Sequence, residues 1–207
     1  MNDSTILCVA RHGETDWNTA GILQGWIDVP INANGRQQAY ELAENLGRWR
    51  FQLVFTSPLR RASETASIVA EILGLPPPLI AEGLRERNFG LAQGKPKSEL
   101  SATDPNLYRE ILRRNPACEF EQGETMDEFA DRVLDSLKEI ANRHAGARML
   151  VITHGWVMDV ITRHIGHLPR STVLNMKRKN IECVWLEITR HGTIAGSSAL
   201  LMPDDLD

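Results

Sequence analysis

The chain has 207 residues, 42% of them apolar, and 27 acidic side chains against 23 lysines and arginines leave a formal net charge of −4. That apolar content is enough for one α/β core, while the acidic balance argues against a nucleic-acid surface and leaves room for a small basic pocket. No run nears the roughly 18 apolar residues of a membrane span, and no basic segment followed by an apolar one opens the chain, so neither membrane insertion nor secretion is expected.

Residues 5–10 read as a buried strand that delivers Arg11-His12-Gly13-Glu14-Thr15. A neutral imidazole is a competent nucleophile near neutral pH. A phosphate ester dianion repels nucleophiles until cations neutralise its oxygens, and Arg11 can supply that charge. Gly13 is read as letting the backbone turn sharply off the strand. A helix over Ala33–Leu46 follows, with Ala39, Leu42, Ala43 and Leu46 at helical spacing and Asn32 as N-cap. Residues 51–55 form a second strand, and Ser57-Pro58 opens a helix running to about residue 73, with Ser57 as its cap and Arg60 and Arg61 in its first turns. Beyond Pro76, Pro77 and Pro78, residues 79–81 make a short strand, and Glu86 follows a further short strand at Leu84. The interval 91–123 is polar, broken by Pro96, Pro105 and Pro116, and carries one helical piece around 107–114. It reads as a lid inserted over a site. Thr125-Met126-Asp127-Glu128 fits a capping box opening a helix to about Arg143, with Phe129, Val133, Leu137 and Ile140 on one face. Residues 149–152 are a strand ending in Thr153-His154-Gly155, a helix covers 157–165, and strands are expected at 173–176, Cys183–Ile188 and 194–200.

Strands alternating with helices imply a three-layer α/β/α sandwich with a mostly parallel central sheet and an antiparallel edge, one domain over 1–207. Ligands of such sheets bind beyond the carboxyl ends of the strands, where His12, His154, Arg60, Arg61 and Glu86 can share one rim. A nucleophile, cationic clamps and an acid are the parts of phosphoryl transfer through a phosphohistidine. His144, His164, His167 and His191 lie in helix or loop contexts without a following glycine turn and are assigned no catalytic role. Cys8, Cys118 and Cys183 include no CxxC pair and read as reduced thiols of a cytoplasmic protein. Lys177-Arg178-Lys179 reads as a solvated turn, and Trp17 and Trp26 as core packing in preference to stacking on substrate.

Several segments together carry a family resemblance: Arg11-His12-Gly13-Glu14-Thr15 with Trp17-Asn18, Gln24-Gly25-Trp26, Ser57-Pro58-Leu59-Arg60-Arg61-Ala62 with Thr65-Ala66, Leu84-Arg85-Glu86-Arg87-Asn88-Phe89-Gly90, Gly123-Glu124-Thr125 and Thr153-His154-Gly155. The chain resembles the histidine phosphatase superfamily, the phosphoglycerate mutase-like enzymes, in its RHG branch. The resemblance implies that His12 is phosphorylated, that Arg11, Arg61 and His154 hold the phosphate, and that Glu86 protonates the leaving alcohol. Asn18, Gln24, Gly25 and Gly155 would line the pocket. Arg61 matches the family position, and Arg60, about 100° around the helix, is a solvated neighbour. The reaction needs no metal, since arginine and histidine supply the charge. The implied partner is a small phosphorylated substrate, with no nucleic acid and no membrane.

The same resemblance leaves the fate of the phosphoryl group open between water and a second hydroxyl. Gln93-Gly94, Lys97 and Arg113-Arg114 fall where cofactor-dependent phosphoglycerate mutases carry similar residues, and 2,3-bisphosphoglycerate would be the cofactor in that case. Against it, Leu112 and Asn115-Pro116 replace the tryptophan and Ser-Tyr that flank the arginine pair in mutases, the long insertion after them is absent, and Arg178-Lys179-Asn180 stands in place of Pro-Thr-Gly. Phosphomonoester hydrolysis is favoured, with mutase activity as the alternative and a non-catalytic phospho-ligand binding protein as a second. Gln93 stands where small phosphatases often carry Glu, which questions how the lid is anchored.

Overall fold

Apolar residues on both sides of every central strand force helices onto both faces of the sheet. The computed structural model describes residues 4–197. Strands β1 (Thr5–Arg11), β2 (Leu53–Thr56), β3 (Leu79–Ile80), β4 (Arg148–Thr153), β5 (Cys183–Ile188) and β6 (Ile194–Gly196) lie in the order β3-β2-β4-β1-β5-β6. The β1–β4, β2–β4 and β2–β3 pairs are parallel, whereas β5 runs antiparallel to β1, and β6 to β5. Successive side chains point to opposite faces. Leu7 and Val9 of β1 and Met149 and Val151 of β4 therefore join a core with Phe129, Val133 and Leu137 of one helix, Met126–Arg143, and Val157 and Ile161 of another, Gly155–Ile165. On the other face Cys8, Ala10, Leu150 and Ile152 pack with helices Ala33–Leu46 and Arg60–Ile72. In chain order the helices are α1 (Asp16–Thr19), α2 (Ala33–Leu46), α3 (Arg60–Ile72), α4 (Lys97–Thr103), α5 (Pro105–Arg113), α6 (Met126–Arg143) and α7 (Gly155–Ile165). The three-layer α/β/α architecture is the one the alternation implies.

Two of the three expected caps form where the sequence places them. Asn32 accepts from the Gly35 N–H at 2.8 Å, and Thr125 and Glu128 exchange the two bonds of a capping box. Four local expectations fail. Helix α3 begins at Arg60 behind Leu59, so Ser57 is not its N-cap: the Ser57 hydroxyl faces the histidine after β4 instead. Residues Glu82–Leu84 form a 3-10 turn in place of a strand before Glu86. The 91–123 interval carries two helices and not one, because Asp104 caps α5 with Pro105 in its first turn and so ends α4 just before it. Residues 173–176 form no strand, since Asn175 adopts a left-handed φ of 49° that breaks an extended run. Residues 198–200 lie outside the described ones. Among the described residues no helix is long and apolar enough to cross a membrane.

Helix α2, reached from β1, packs on one face of the sheet and helix α7, reached from β4, on the other, although β1 and β4 are neighbours. Connections leaving to opposite faces open a crevice at the strand ends, the switch point of a doubly wound sheet.

Candidate active site

Register brings the two histidines together. Arg11 pairs with Thr153, and the His12 N–H donates to the Thr153 carbonyl at 2.9 Å, so the next residue on each strand leaves the sheet at the same height. The His12 and His154 rings lie 5.3 Å apart between centroids, both buried. His12 Nδ1 lies 2.7 Å from the Gly13 carbonyl, which can only accept, so Nδ1 carries the proton and Nε2 keeps its lone pair. Burial, with Arg11 and Arg61 adding to it, holds the His12 pKa well below the ordinary 6.5; burial and Arg61 do the same for His154. Both rings are neutral. His154 Nε2 is 2.7 Å from the Ser57 hydroxyl, while its buried Nδ1 has no partner. Gly13 is needed here for closeness and not for a left-handed φ, since a Cβ there would stand 2.4 Å from the Gly35 carbonyl oxygen of α2.

A cavity of about 510 Å³ at this crevice is lined by Arg11, His12, Asn18, Gln24, Gly25, Arg61 and Glu86. Arg61 donates from Nη2 to the Gly25 carbonyl at 2.7 Å and from Nη1 to that of Ile27 at 3.1 Å, tying the 24–27 loop to α3. Arg11 donates from Nη1 to the Arg178 carbonyl at 2.6 Å, while its buried Nε is unpartnered. Burial lowers both guanidinium pKa values to about 10, which leaves them charged at neutral pH. Glu86 accepts from the Arg87 N–H at 3.0 Å, and burial raises its pKa against the pull of Arg114, Arg61 and Arg11. Asn18, which lines the cavity, spends Oδ1 on the Thr15 N–H in the capping box of α1, and Gln24 has a buried Oε1 without a partner. His154 and Gly155 adjoin the cavity through the His12 ring and the Arg11 side chain. The structure thus brings together every residue singled out for the site. Arg60 is exposed and pairs with Glu64.

The 91–123 interval contributes Lys97, Ile111, Leu112, Arg113 and Arg114 to the same cavity, and Lys177 joins them from the other side. Gln93 anchors this interval without a charge: its Oε1 accepts from the Trp26 N–H at 2.6 Å and the Phe89 N–H at 3.3 Å. The Trp26 indole N–H donates to the Glu86 carbonyl at 2.7 Å, and Arg85 and Arg132 lie over its ring, so it supports the site and is not among the cavity's lining. Trp17 also lies off that lining, as do His144, His164, His167 and His191. One expectation is overturned: Arg178 is buried and ion-paired to Asp159 at 2.9 Å and to Glu182, so only its neighbours Lys177 and Lys179 are solvated. Sequence reasoning missed Ser57 as the partner of His154, and Asp159. The signal for Asp159 was a single carboxylate inside the apolar run 156–161, which in a buried helix needs a cation. Among the described residues no group of three or more His, Cys, Asp or Glu side chains is placed to hold a metal ion.

Comparison with known proteins agrees with this geometry. The histidine phosphatase superfamily (branch 1) profile matches residues 7–197. A metal-independent phosphoserine phosphatase of Arabidopsis thaliana is 37% identical over 77% of this chain and 68% of its own length. A probable phosphoglycerate mutase of Klebsiella pneumoniae, GpmB, is 31% identical over 83% of this chain and 80% of its own. Among solved structures, Bacillus stearothermophilus YhfR superposes with a TM-score of 0.84 at 30% identity, covering 93% of this chain and 95% of that one. The phosphoserine phosphatase of Entamoeba histolytica in complex with 3-phosphoglyceric acid gives 0.78 at 26% identity, covering 94% and 95%. Two neutral histidines, two buried arginines and a buried carboxyl at one switch point, on a chain matched almost end to end, place this protein in branch 1 of the histidine phosphatase superfamily, as a histidine phosphatase.

Proposed function

We propose that the protein hydrolyses small phosphomonoesters through a phosphohistidine on His12, in a single domain whose 91–123 segment is the lid. The observation that carries this reading is the His12 ring: neutral through burial, its Nδ1 proton given to the Gly13 carbonyl and its Nε2 free in a cavity walled by Arg11, Arg61 and Glu86. Arg11 and Arg61 take the phosphate oxygens, joined by His154, whose unpartnered Nδ1 donates when the Ser57 hydroxyl donates to Nε2. The Nε2 lone pair forms the N–P bond as the P–O bond to the alcohol breaks, and the proton of the Glu86 carboxyl goes to the departing oxygen. Glu86, now a carboxylate, takes a proton from water as that water's oxygen attacks phosphorus. The N–P electron pair returns to His12, and inorganic phosphate leaves with Glu86 protonated again. Two guanidinium charges do the neutralising that a metal would otherwise do, in keeping with the metal-independent relative. Relatives named for phosphoserine and a neighbour holding 3-phosphoglyceric acid point to small phosphorylated metabolites as substrates.

Incubation with a ³²P-labelled phosphomonoester followed by quenching in base is expected to leave acid-labile label on the wild type and none on His12→Ala. Label on both, or on neither, overturns the phosphohistidine. The trapped label should chase into inorganic phosphate; a faster chase into an added phosphoglycerate would establish the mutase reading that Lys97, Arg113 and Arg114 favour.

A further inference from the structure

The far end of α7 carries a buried cation that the phosphoryl chemistry does not use. Arg163 is 2% exposed and lies about 12 Å along the helix from Gly155. Its Nε donates to the Thr172 carbonyl at 2.7 Å, while Nη1 and Nη2 are both buried and make no hydrogen bond. The carboxylate one turn earlier on α7, Asp159, is committed elsewhere: it accepts from the Arg114 Nε at 2.7 Å and from the Arg178 Nε at 2.9 Å. Arg170, in the turn after α7, is paired with Asp127 and Asp131. A guanidinium held in the interior with the fork of its two Nη groups unused is costly, and an anion is what completes it.

Arg163 lines a cavity of about 300 Å³ between α6, α7 and the turn after α7, which shares no residue with the cavity at His12. Its other walls are largely apolar: Met126, Ala130 and Leu134 of α6, Val160 of α7, and Leu168 and Pro169. Leu168 and Pro169 are exposed, so one side of the cavity stands at the surface. Apolar walls around one unpaired planar cation fit an amphipathic anion. The fork matches the two oxygens of a carboxylate, whose single charge costs less to take from water than a phosphate dianion. Methylene groups gain from the walls. At about 30 Å³ per heavy atom, the share of one water in the liquid, the cavity holds about ten such atoms, the size of octanoate.

We propose that this cavity is a binding site for a medium-chain carboxylate, with the headgroup on the Arg163 fork and the alkyl chain laid between α6 and Leu168. The inference goes beyond the phosphatase reading and does not rest on it, since the two cavities have no residue in common.

The test is calorimetric titration of the full chain with sodium octanoate, octanol and sodium acetate, with and without saturating inorganic phosphate as an occupant for the His12 cavity. The wild type should bind one octanoate per chain, about 10- to 100-fold more tightly than octanol, the worth of charge-assisted hydrogen bonds. Acetate, which lacks the chain, should bind more than about 100-fold more weakly than octanoate. Phosphate should leave the octanoate affinity unchanged. Arg163→Met keeps a long side chain and should lose the preference for octanoate over octanol, while kcat and KM for p-nitrophenyl phosphate stay at their wild-type values. Ala130→Leu, which fills the cavity and leaves the guanidinium in place, should weaken octanoate and octanol alike. No octanoate binding at millimolar concentration, octanol or acetate bound as tightly as octanoate, or an Arg163→Met variant that keeps the preference overturns the proposal. So does octanoate displaced by phosphate or competitive with p-nitrophenyl phosphate, which puts the carboxylate at His12 instead. If Arg163→Met does not fold, the three-ligand comparison on the wild type and on Ala130→Leu decides the same question.

Discussion

At the scale of the residue, environment decides what an ordinary side chain does. Burial raises the Glu86 pKa against the pull of three nearby guanidinium groups, which favours the protonated carboxyl that a departing alkoxide needs. Glu86→Gln is therefore expected to slow hydrolysis of alkyl phosphates about 100-fold or more, while p-nitrophenyl phosphate, whose leaving group needs little help, loses far less. Steady-state rates on the two substrates check this, and equal losses would remove Glu86 from the acid role. His12 was legible as a residue type at a strand end, and Glu86 as a carboxylate within its motif. What their protonation would be was not, because it depends on burial and on Arg11 and Arg61 arriving from separate segments. Ser57 shows the same limit: it looks like a helix cap in sequence, yet its hydroxyl meets His154 across the β2–β4 boundary.

At the scale of the element, close approach matters more than local propensity. Helices α2 and α6 start where their capping residues say they should, since those bonds are made within a few residues of chain. The loop after β1 is different. Gly13 and Gly35 face each other so tightly that a Cβ on either meets a backbone oxygen, at 2.4 Å from Gly13 and 2.2 Å from Gly35. Gly13→Ala must push α2 off the strand end that carries His12. It should cost about 1–3 kcal/mol of stability, as overpacking does, and lower kcat with it. Thermal melts and rates on the same preparation check both, and unchanged values would show that the loop yields freely. The 91–123 segment escaped a full reading for a related reason: Asp104 and Pro105 both end α4 and begin α5, and only the tertiary fold shows the two helices to be separate.

At the scale of the molecule, burying two neutral histidines couples stability to pH. His12 and His154 titrate well below 6.5 when folded and near it when unfolded, so below about 6.5 the unfolded chain binds protons that the folded one refuses. Their contribution is whole above that value and lost as pH falls toward their folded pKa values. Glu86 acts in the opposite sense, its raised pKa contributing stability that is lost as pH climbs through it. Melting temperature should thus fall from pH 7.5 to pH 5.5, and His12→Asn should flatten that slope; an unchanged slope would mean that the ring is not buried neutral. The sequence by itself determined the alternation of strand and helix, hence a mostly parallel sheet, and, through its motifs, which side chains stand at the strand ends. Periodicity and capping are local, so they survive in a single line of letters. Only the tertiary structure decided that Ser57 meets His154, that Gln93 pins the 91–123 segment to Trp26, and that Asp159 binds Arg114 to Arg178. Each of these joins residues tens of positions apart whose encounter depends on how the layers close.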